Sequence, residues 1–273
     1  MMKKCFAWML LLLCLCTFGL AEEAAEGYGA VTPGDPAELQ EMIELAERAP
    51  YVPEGVEKAV FGVDDRATIN QTGKYPYSAI AYLKVKGSCG CSWTGSGFMV
   101  GQSSLATAAH CLVCEEHDAW VSGLTMYFGY RSDKNYTYCY SDGATYWYGS
   151  NPYVNGSYIE DDDYAYLKLE KKVGDRVGWF GIRHANAGQH GQVFTVAGYR
   201  HGVLKTSNGT VGVRNDKILE YQTDTEPGYS GCPVFDSEYY AVAINVGHNR
   251  VENFARRFTT DVITEMRQNG MFD

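Results

Sequence analysis

Proline and positive charge are scarce in this chain. Its 273 residues hold 8 Pro, and 23 Lys and Arg stand against 33 Asp and Glu, a formal net charge of −10. The acidic balance leaves no basic face of the kind that nucleic-acid binding needs. Beyond the N-terminal segment, no apolar run approaches the ~20 residues needed to span a bilayer. No H-E-x-x-H or comparable ligand pair occurs, which removes the common metal-hydrolase signature. Repeats of fixed period and low-complexity tracts are absent as well. What remains is globular in composition, 45% apolar and 21% charged, and its 30 Gly and 21 Tyr favour a body rich in strands and turns. The length allows one or two domains.

The first segment carries Lys3 and Lys4, an apolar run over 5–16, and the small residues Gly19 and Ala21 at the −3 and −1 positions of a cut. Residues 1–21 therefore read as a secretory signal peptide, with a membrane anchor disfavoured by the short run. The expected location is extracellular. Residues 22–58 hold ten acidic and two basic side chains and one helical stretch over 36–49. Such a segment between signal and body reads as a removable acidic propeptide, with a solvated linker as the alternative. The remaining body, 59–273, is mildly acidic and is expected to act as a soluble monomer with no nucleic-acid or membrane partner. The propeptide is its expected intramolecular partner.

Six cysteines stay with the body: Cys89, Cys91, Cys111, Cys114, Cys139 and Cys232. An even number in an oxidising compartment favours disulfides. Cys91 with Cys111 is the preferred bridge; Cys89 with Cys114 could follow, and Cys139 with Cys232 is the remainder. The C-x-C and C-x-x-C pairs, with His110 and His117 nearby, could instead hold zinc, but their spacing matches no common finger and no metal site is expected. Short β-rich runs at 77–85, 97–100, 105–109, 124–130, 164–169, 192–199, 218–223 and 241–246, separated by Gly, Asn, Asp and Ser, indicate an all-β sandwich or barrel. Only 260–268 reads as a helix, capped by Thr260 or Asp261, with Val262, Ile263 and Met266 as its apolar side.

Three settings carry chemistry. Serine is a weak nucleophile unless an imidazole takes its proton, and the imidazole needs a carboxylate to fix its tautomer. The run Leu105-Ala106-Thr107-Ala108-Ala109-His110-Cys111 places a His at the end of a small-residue strand. Pro227-Gly228-Tyr229-Ser230-Gly231-Cys232-Pro233 places a Ser in a glycine-flanked turn, where the N–H groups of Gly228 and Ser230 could face one oxyanion. Between them, Asp161-Asp162-Asp163-Tyr164-Ala165 leads an acidic turn into a strand.

TAAHC, DYA and GYSGCP, in that order, resemble the catalytic segments of the chymotrypsin-like serine proteases. The runs at 59–66, 75–77, 177–181 and 196–199 are similar to stretches of the secreted bacterial glutamyl endopeptidases. The resemblance implies two packed six-stranded β-barrels with a C-terminal helix, the halves meeting near 170–190. It also implies hydrolysis of peptide or protein substrates through an acyl-enzyme. By the same resemblance His110 is base and then acid, Asp163 orients it, Ser230 attacks, and Gly228 with Ser230 forms the oxyanion hole. Asp161 and Asp162 compete for the acid role and are otherwise solvated or calcium-coordinating. No cofactor is expected, a structural calcium being the one exception considered.

Specificity is less uniform with the family. Tyr229 stands where trypsin-like enzymes keep an Asp for the freed amino terminus, which excludes that ion pair. The resemblance instead places a mature start at Ala59 after Lys58. Thr225 matches a residue that binds the substrate carboxylate, whereas Asn245 stands where that family has a His. Asp224 falls where trypsin-like enzymes select Lys or Arg, which is weak support for a basic preference. An amide adds no charge, so a preference for Glu before the scissile bond should weaken. The alternatives are a trypsin-like or broad-specificity protease, or a catalytically silent protease-like binding module.

Overall fold

A computed structural model describes residues 67–141, 146–149, 153, 155–184, 189–223, 225, 227–248 and 252–272. The expected signal peptide and propeptide, the Lys58–Ala59 cut and Asp224 lie outside the described residues. The strands are β1 (Ala67–Thr68), β2 (Ile80–Gly87), β3 (Ser92–Met99), β4 (Ser104–Thr107), β5 (Val113–Cys114), β6 (Ala119–Phe128), β7 (Tyr138–Ser141) and β8 (Tyr146–Gly149). They continue as β9 (Ala165–Lys168), β10 (Gly181–Ile182), β11 (Val193–Arg200), β12 (Val203–Val213), β13 (Ile218–Tyr221), β14 (Pro233–Phe235), β15 (Tyr240–His248) and β16 (Asn253–Arg257). Among the described residues there are two short α-helices, α1 (Gly174–Val177) and α2 (Thr260–Gln268).

The strands form two sheets. In the first the order is β5-β6-β2-β3-β4-β9-β8, with β7 also on β6. In the second, β12-β11-β14-β15-β16-β13 closes through a β12–β13 ladder into a six-stranded barrel; β1 adds to β12 and β10 to β15. Closure leaves those six strands without open edges. The first sheet does not close among the described residues, so only one of the two expected barrels is complete there.

Strand character follows from the pleat. Along β6, Leu124, Met126 and Phe128 are buried while the residues between them are partly exposed, the period-two pattern of a half-buried strand. β2 is buried on both faces over its first half, because its sheet is covered by the second. Phe98 on β3, Phe180 in the connection, Phe235 on β14 and Phe258 after β16 form one fully buried aromatic chain between the sheets. Ring centroids are 5.6 Å apart for Phe98–Phe180, 4.9 Å for Phe180–Phe235 and 6.4 Å for Phe98–Phe258. Hydrogen bonds reinforce this apolar seam: Ser78 Oγ donates to Val177 O at 2.8 Å and Tyr75 Oη to Trp179 O at 3.0 Å.

Helix α2 covers the expected residues, but Thr259 is its N-cap rather than Thr260 or Asp261. It follows the second barrel yet crosses back onto the first sheet. Tyr164 Oη donates to Glu265 at 2.7 Å, Ser104 Oγ to Met271 O at 2.6 Å and Lys168 Nζ to Gly270 O at 2.6 Å. Val262, Ile263 and Met266 are buried beneath it, as their spacing anticipates. No helix among the described residues is long and apolar enough to cross a membrane.

Removing the ring at the centre of the aromatic seam leaves a cavity that neither sheet can collapse into. Phe180→Ala is expected to cost about 3–5 kcal/mol of unfolding free energy, measured by urea titration at unchanged m-value.

Candidate active site

The segment Ala109–Cys111 leaves β4 as a single 3-10 turn, with Leu112 N–H donating to Ala109 O at 2.8 Å. Small side chains before it let the turn sit tight against β3. His110 is partly exposed, whereas Asp163 is only 4% exposed at the start of β9. The carboxylate accepts twice from the same residue. His110 Nδ1 lies 2.6 Å from Asp163 Oδ2, and the His110 backbone N–H donates to Asp163 Oδ1 at 3.0 Å. A carboxylate can only accept, so in the neutral ring the proton resides on Nδ1 and Nε2 carries the lone pair. Burial alone would depress the imidazole pKa. The contact with the Asp163 charge and the neighbouring Cys111 sulfur outweigh it and hold the value well above 6.5.

Asp161 and Asp162 do not face His110. Asp161 Oδ1 accepts from Asn215 Nδ2 at 3.3 Å, and Asp162 lies 3.8 Å from Lys217 Nζ. Both partners come from the second barrel. Arg256, almost fully buried on β16, donates Nε to Asp161 O at 2.5 Å, Nη1 to Arg257 O at 2.8 Å and Nη1 to Thr259 Oγ1 at 3.1 Å. Its guanidinium also stacks 5.1 Å from the Tyr164 ring centroid. A buried guanidinium is tolerated only with its donors satisfied, and here they clamp the turn that presents Asp163. In sequence, Arg256 is one of two adjacent arginines in a short polar-looking run, and nothing local marks it as a clamp.

The turn carrying Ser230 connects β13 to β14 of the barrel and lies against the first sheet. Ser96 on β3, fully buried, makes four contacts there. Its N–H donates to Ser230 O at 2.8 Å and its Oγ to Gly228 O at 2.9 Å; its Oγ accepts from Tyr199 N–H at 2.9 Å, and its carbonyl accepts from Thr107 Oγ1 at 2.8 Å. Cys111 Sγ, beside the imidazole residue, is 3.5 Å from Ser230 O. Gly231, at φ +82°, allows the fit: a Cβ there would fall 2.2 Å from both Ser96 O and Thr107 Oγ1. Gly231 N–H donates to Asn245 O at 2.8 Å and Cys232 N–H to Tyr229 O at 2.9 Å. Among the described residues, no backbone carbonyl takes the N–H of Gly228 or Ser230. Tyr229 turns inward and packs on Gly198 in the barrel core.

The expected subsite residues lie on one wall of the barrel. Thr225 Oγ1 donates to Asn253 Oδ1, and Asn253 Nδ2 in turn donates to Thr223 O. Asn245 is buried, with Oδ1 accepting from Tyr221 Oη. Asn253 and Tyr221 were not evident from sequence; β13–β16 pairing, which sets Tyr221 opposite Asn253, brings them in. His248 is exposed at the end of β15.

The expected Cys91–Cys111 bridge does not form. Cys111 is buried beside Ser230, whereas Cys91 lies with Cys89, Cys114 and His117 on the outer side of the first sheet, and all six body cysteines are free. The physical reason is that the two sulfurs are taken up in different places: Cys91 Sγ sits 3.6 Å from His117 Nδ1, while Cys111 Sγ is buried between Gly95 and Ser230 O.

A closed barrel and a second sheet that meet at a His–Asp pair and a glycine-flanked Ser define a chymotrypsin-like protein. The comparisons agree. The sequence profile of the trypsin-like peptidase domain matches residues 95–244, over half of the chain, and the chain belongs to that family. It is 30% identical over 226 residues to the Glutamyl endopeptidase of Bacillus licheniformis, covering 80% of this chain and 66% of that protein. It is 29% identical over 219 residues to a Bacillus subtilis protein named Extracellular metalloprotease, covering 77% of this chain and 69% of that one. The chain thus spans about two thirds of the length of these relatives. A solved Glu endopeptidase in complex with MPD matches with TM-score 0.67 at 21% identity, over 77% of this chain and 99% of that one. Protease Anisep from Arthrobacter nicotinovorans matches at TM-score 0.61 and 19% identity, over 74% and 98%. These two structural likenesses bear on the fold.

Ser96→Ala removes a hydroxyl that serves a buried N–H and a buried carbonyl at once. It is expected to cost about 1–3 kcal/mol per group left unpaired, read by thermal unfolding. Chemical reactivity of Ser230 should fall with it, because the turn loses its hydroxyl tie at Gly228 and keeps only the Ser96 N–H to Ser230 O.

Proposed function

We propose that this chain is a secreted serine endopeptidase that cleaves peptide bonds through His110, Asp163 and Ser230. The observation that carries the reading is the double contact of Asp163 with His110, set beside a glycine-flanked serine turn. In this mechanism Nε2 takes the Ser230 Oγ proton as the oxygen attacks the scissile carbonyl. The resulting oxyanion is received by the N–H groups of Gly228 and Ser230. His110, now protonated and stabilised by Asp163, passes that proton to the leaving amine, and an acyl-enzyme remains on Ser230. Water then attacks with the same imidazole as base, which frees Ser230. Secretion, removal of the acidic propeptide and a start at Ala59 are part of the proposal and rest on the sequence pattern of residues 1–58.

Covalent labelling by a fluorophosphonate tests the centre directly. Labelling is expected in the chain beginning at Ala59 and absent in Ser230→Ala. An unlabelled wild-type protein would establish the silent binding module instead. The labelling rate needs a neutral imidazole. With the His110 pKa raised, the rate should be low in acid and climb with pH along a limb displaced above 6.5. Asp163→Asn should lower turnover by about 10⁴ because the wrong tautomer is then favoured.

For the residue before the cut, we propose Glu held by neutral donors. Tyr221 Oη occupies Asn245 Oδ1, which orients the amide so that its N–H₂ is the end left for a substrate carboxylate. The Thr225 hydroxyl, by contrast, already donates to Asn253 and acts as a wall. With no cation among the described residues of this wall, Glu and Gln peptides are expected to differ by no more than about tenfold in kcat/KM. Asn245→His should widen that ratio at mildly acidic pH. A panel preferring Lys or Arg would overturn this subsite assignment while leaving the serine centre intact.

A further inference from the structure

We propose that Cys89, Cys91, Cys114 and His117 form a structural zinc site on the outer face of the first sheet. Their donor atoms, three sulfurs and one ring nitrogen, all lie within 4.8 Å of one another. His117 Nδ1 is 3.4 Å from Cys114 Sγ and 3.6 Å from Cys91 Sγ. Zinc bonds of about 2.3 Å to sulfur and 2.0–2.1 Å to nitrogen in a tetrahedron put adjacent donors about 3.5–3.8 Å apart. The two sulfur–nitrogen edges, at 3.4 and 3.6 Å, lie close to that length.

The chain builds this grouping from two hairpin turns that are distant in sequence. Cys89 and Cys91 flank Gly90, whose φ of +89° turns β2 back into β3. Cys114 ends β5 and His117 lies in the turn leading to β6. The turns are neighbours because β6 pairs with both β2 and β5, and Ser88 N–H donates to Trp120 O at 2.9 Å.

A disulfide explains the cluster less well. Three thiols share the site, so any one bridge leaves a third sulfur and the imidazole without a role. A tetrahedral zinc uses all four donors, and four protein donors mark a closed, structural site rather than a catalytic one. Binding is balanced by release of three thiol protons, which leaves a Zn²⁺, three thiolates and a neutral imidazole with net charge −1. The ion would staple the β2–β3 turn to the segment that begins at His110, four residues before Cys114. This inference does not rest on the protease reading.

The test uses the full chain, purified without chelator and without added reductant, with metal content measured by mass spectrometry. About one zinc per chain is expected. Replacement by Co²⁺ should give a thiolate-to-cobalt charge-transfer band with the strong visible bands of a tetrahedral centre. His117→Ala and Cys114→Ala should lose most of the metal, while His117→Cys, which keeps four soft donors, should retain it. Should the alanine variants fail to fold, zinc content and the cobalt spectrum of the wild-type chain decide alone. A metal-free wild-type chain with a disulfide between any two of Cys89, Cys91 and Cys114 in a non-reducing peptide map would overturn the proposal. Zinc retained undiminished in a folded Cys114→Ala, His117→Ala double variant would overturn it equally. Fluorophosphonate labelling of Ser230, once the same sample is cut to begin at Ala59, reports on the serine centre independently.

Discussion

The geometry of the site depends on one buried serine. Ser96 belongs to the first sheet, yet its amide holds Ser230 O and its hydroxyl links Gly228 O to Tyr199 N–H, all in the barrel. Its own carbonyl accepts from Thr107, three residues before the imidazole. Glycine is needed at 231, because a Cβ there would collide with the same carbonyl. The turn bearing the proposed nucleophile and the strand bearing the proposed base are therefore referenced to a single backbone position. Hydrogen bonds in such a buried setting contribute modestly to net stability, but breaking one leaves an unpaired polar group, so the arrangement resists small displacements.

A second constraint runs the other way, from the barrel to the carboxylate. Arg256 on β16 clamps the carbonyl of Asp161, and Asn215 and Lys217 engage Asp161 and Asp162. Helix α2, which ends the chain's path through the barrel, leans on Tyr164 and β4. The acidic triplet thus divides its work: two carboxylates face the barrel and hold the turn, and the third faces His110. Proximity of charge to an imidazole stabilises its protonated form, which is the form a proton shuttle must pass through.

The strands with strong apolar or alternating patterns, among them β2, β4, β6, β11, β13 and β15, are visible in the sequence. The two longer strands that escape it, β12 and β16, are polar over much of their length. β12 includes Lys205, Thr206, Ser207, Asn208, Gly209 and Thr210, and β16 is Asn253 to Arg257 with both arginines buried. Such strands are set by pairing on both sides within a closed ring, an effect of tertiary context that no local window contains. The same holds for the site. His110, Asp163 and Ser230 stand out because each sits in a short, chemically peculiar run. Ser96, Arg256, Tyr221 and Asn253 look like ordinary strand residues.

Cysteine chemistry marks the division most clearly. Counting thiols and reading a signal segment suggested bridges, with Cys91 to Cys111 preferred. The fold sets Cys91 Sγ beside His117 and buries Cys111 Sγ between Gly95 and Ser230 O, and spacing carries no information about either place. By itself, the order of residues determined the class of fold, the helix at the end and the identity of the chemically distinctive side chains, because these depend on local pattern and composition. Which carboxylate meets the imidazole, which thiols share a face and what anchors the serine turn were decided only by tertiary structure, because each is a contact between strands that pairing, not sequence proximity, makes adjacent.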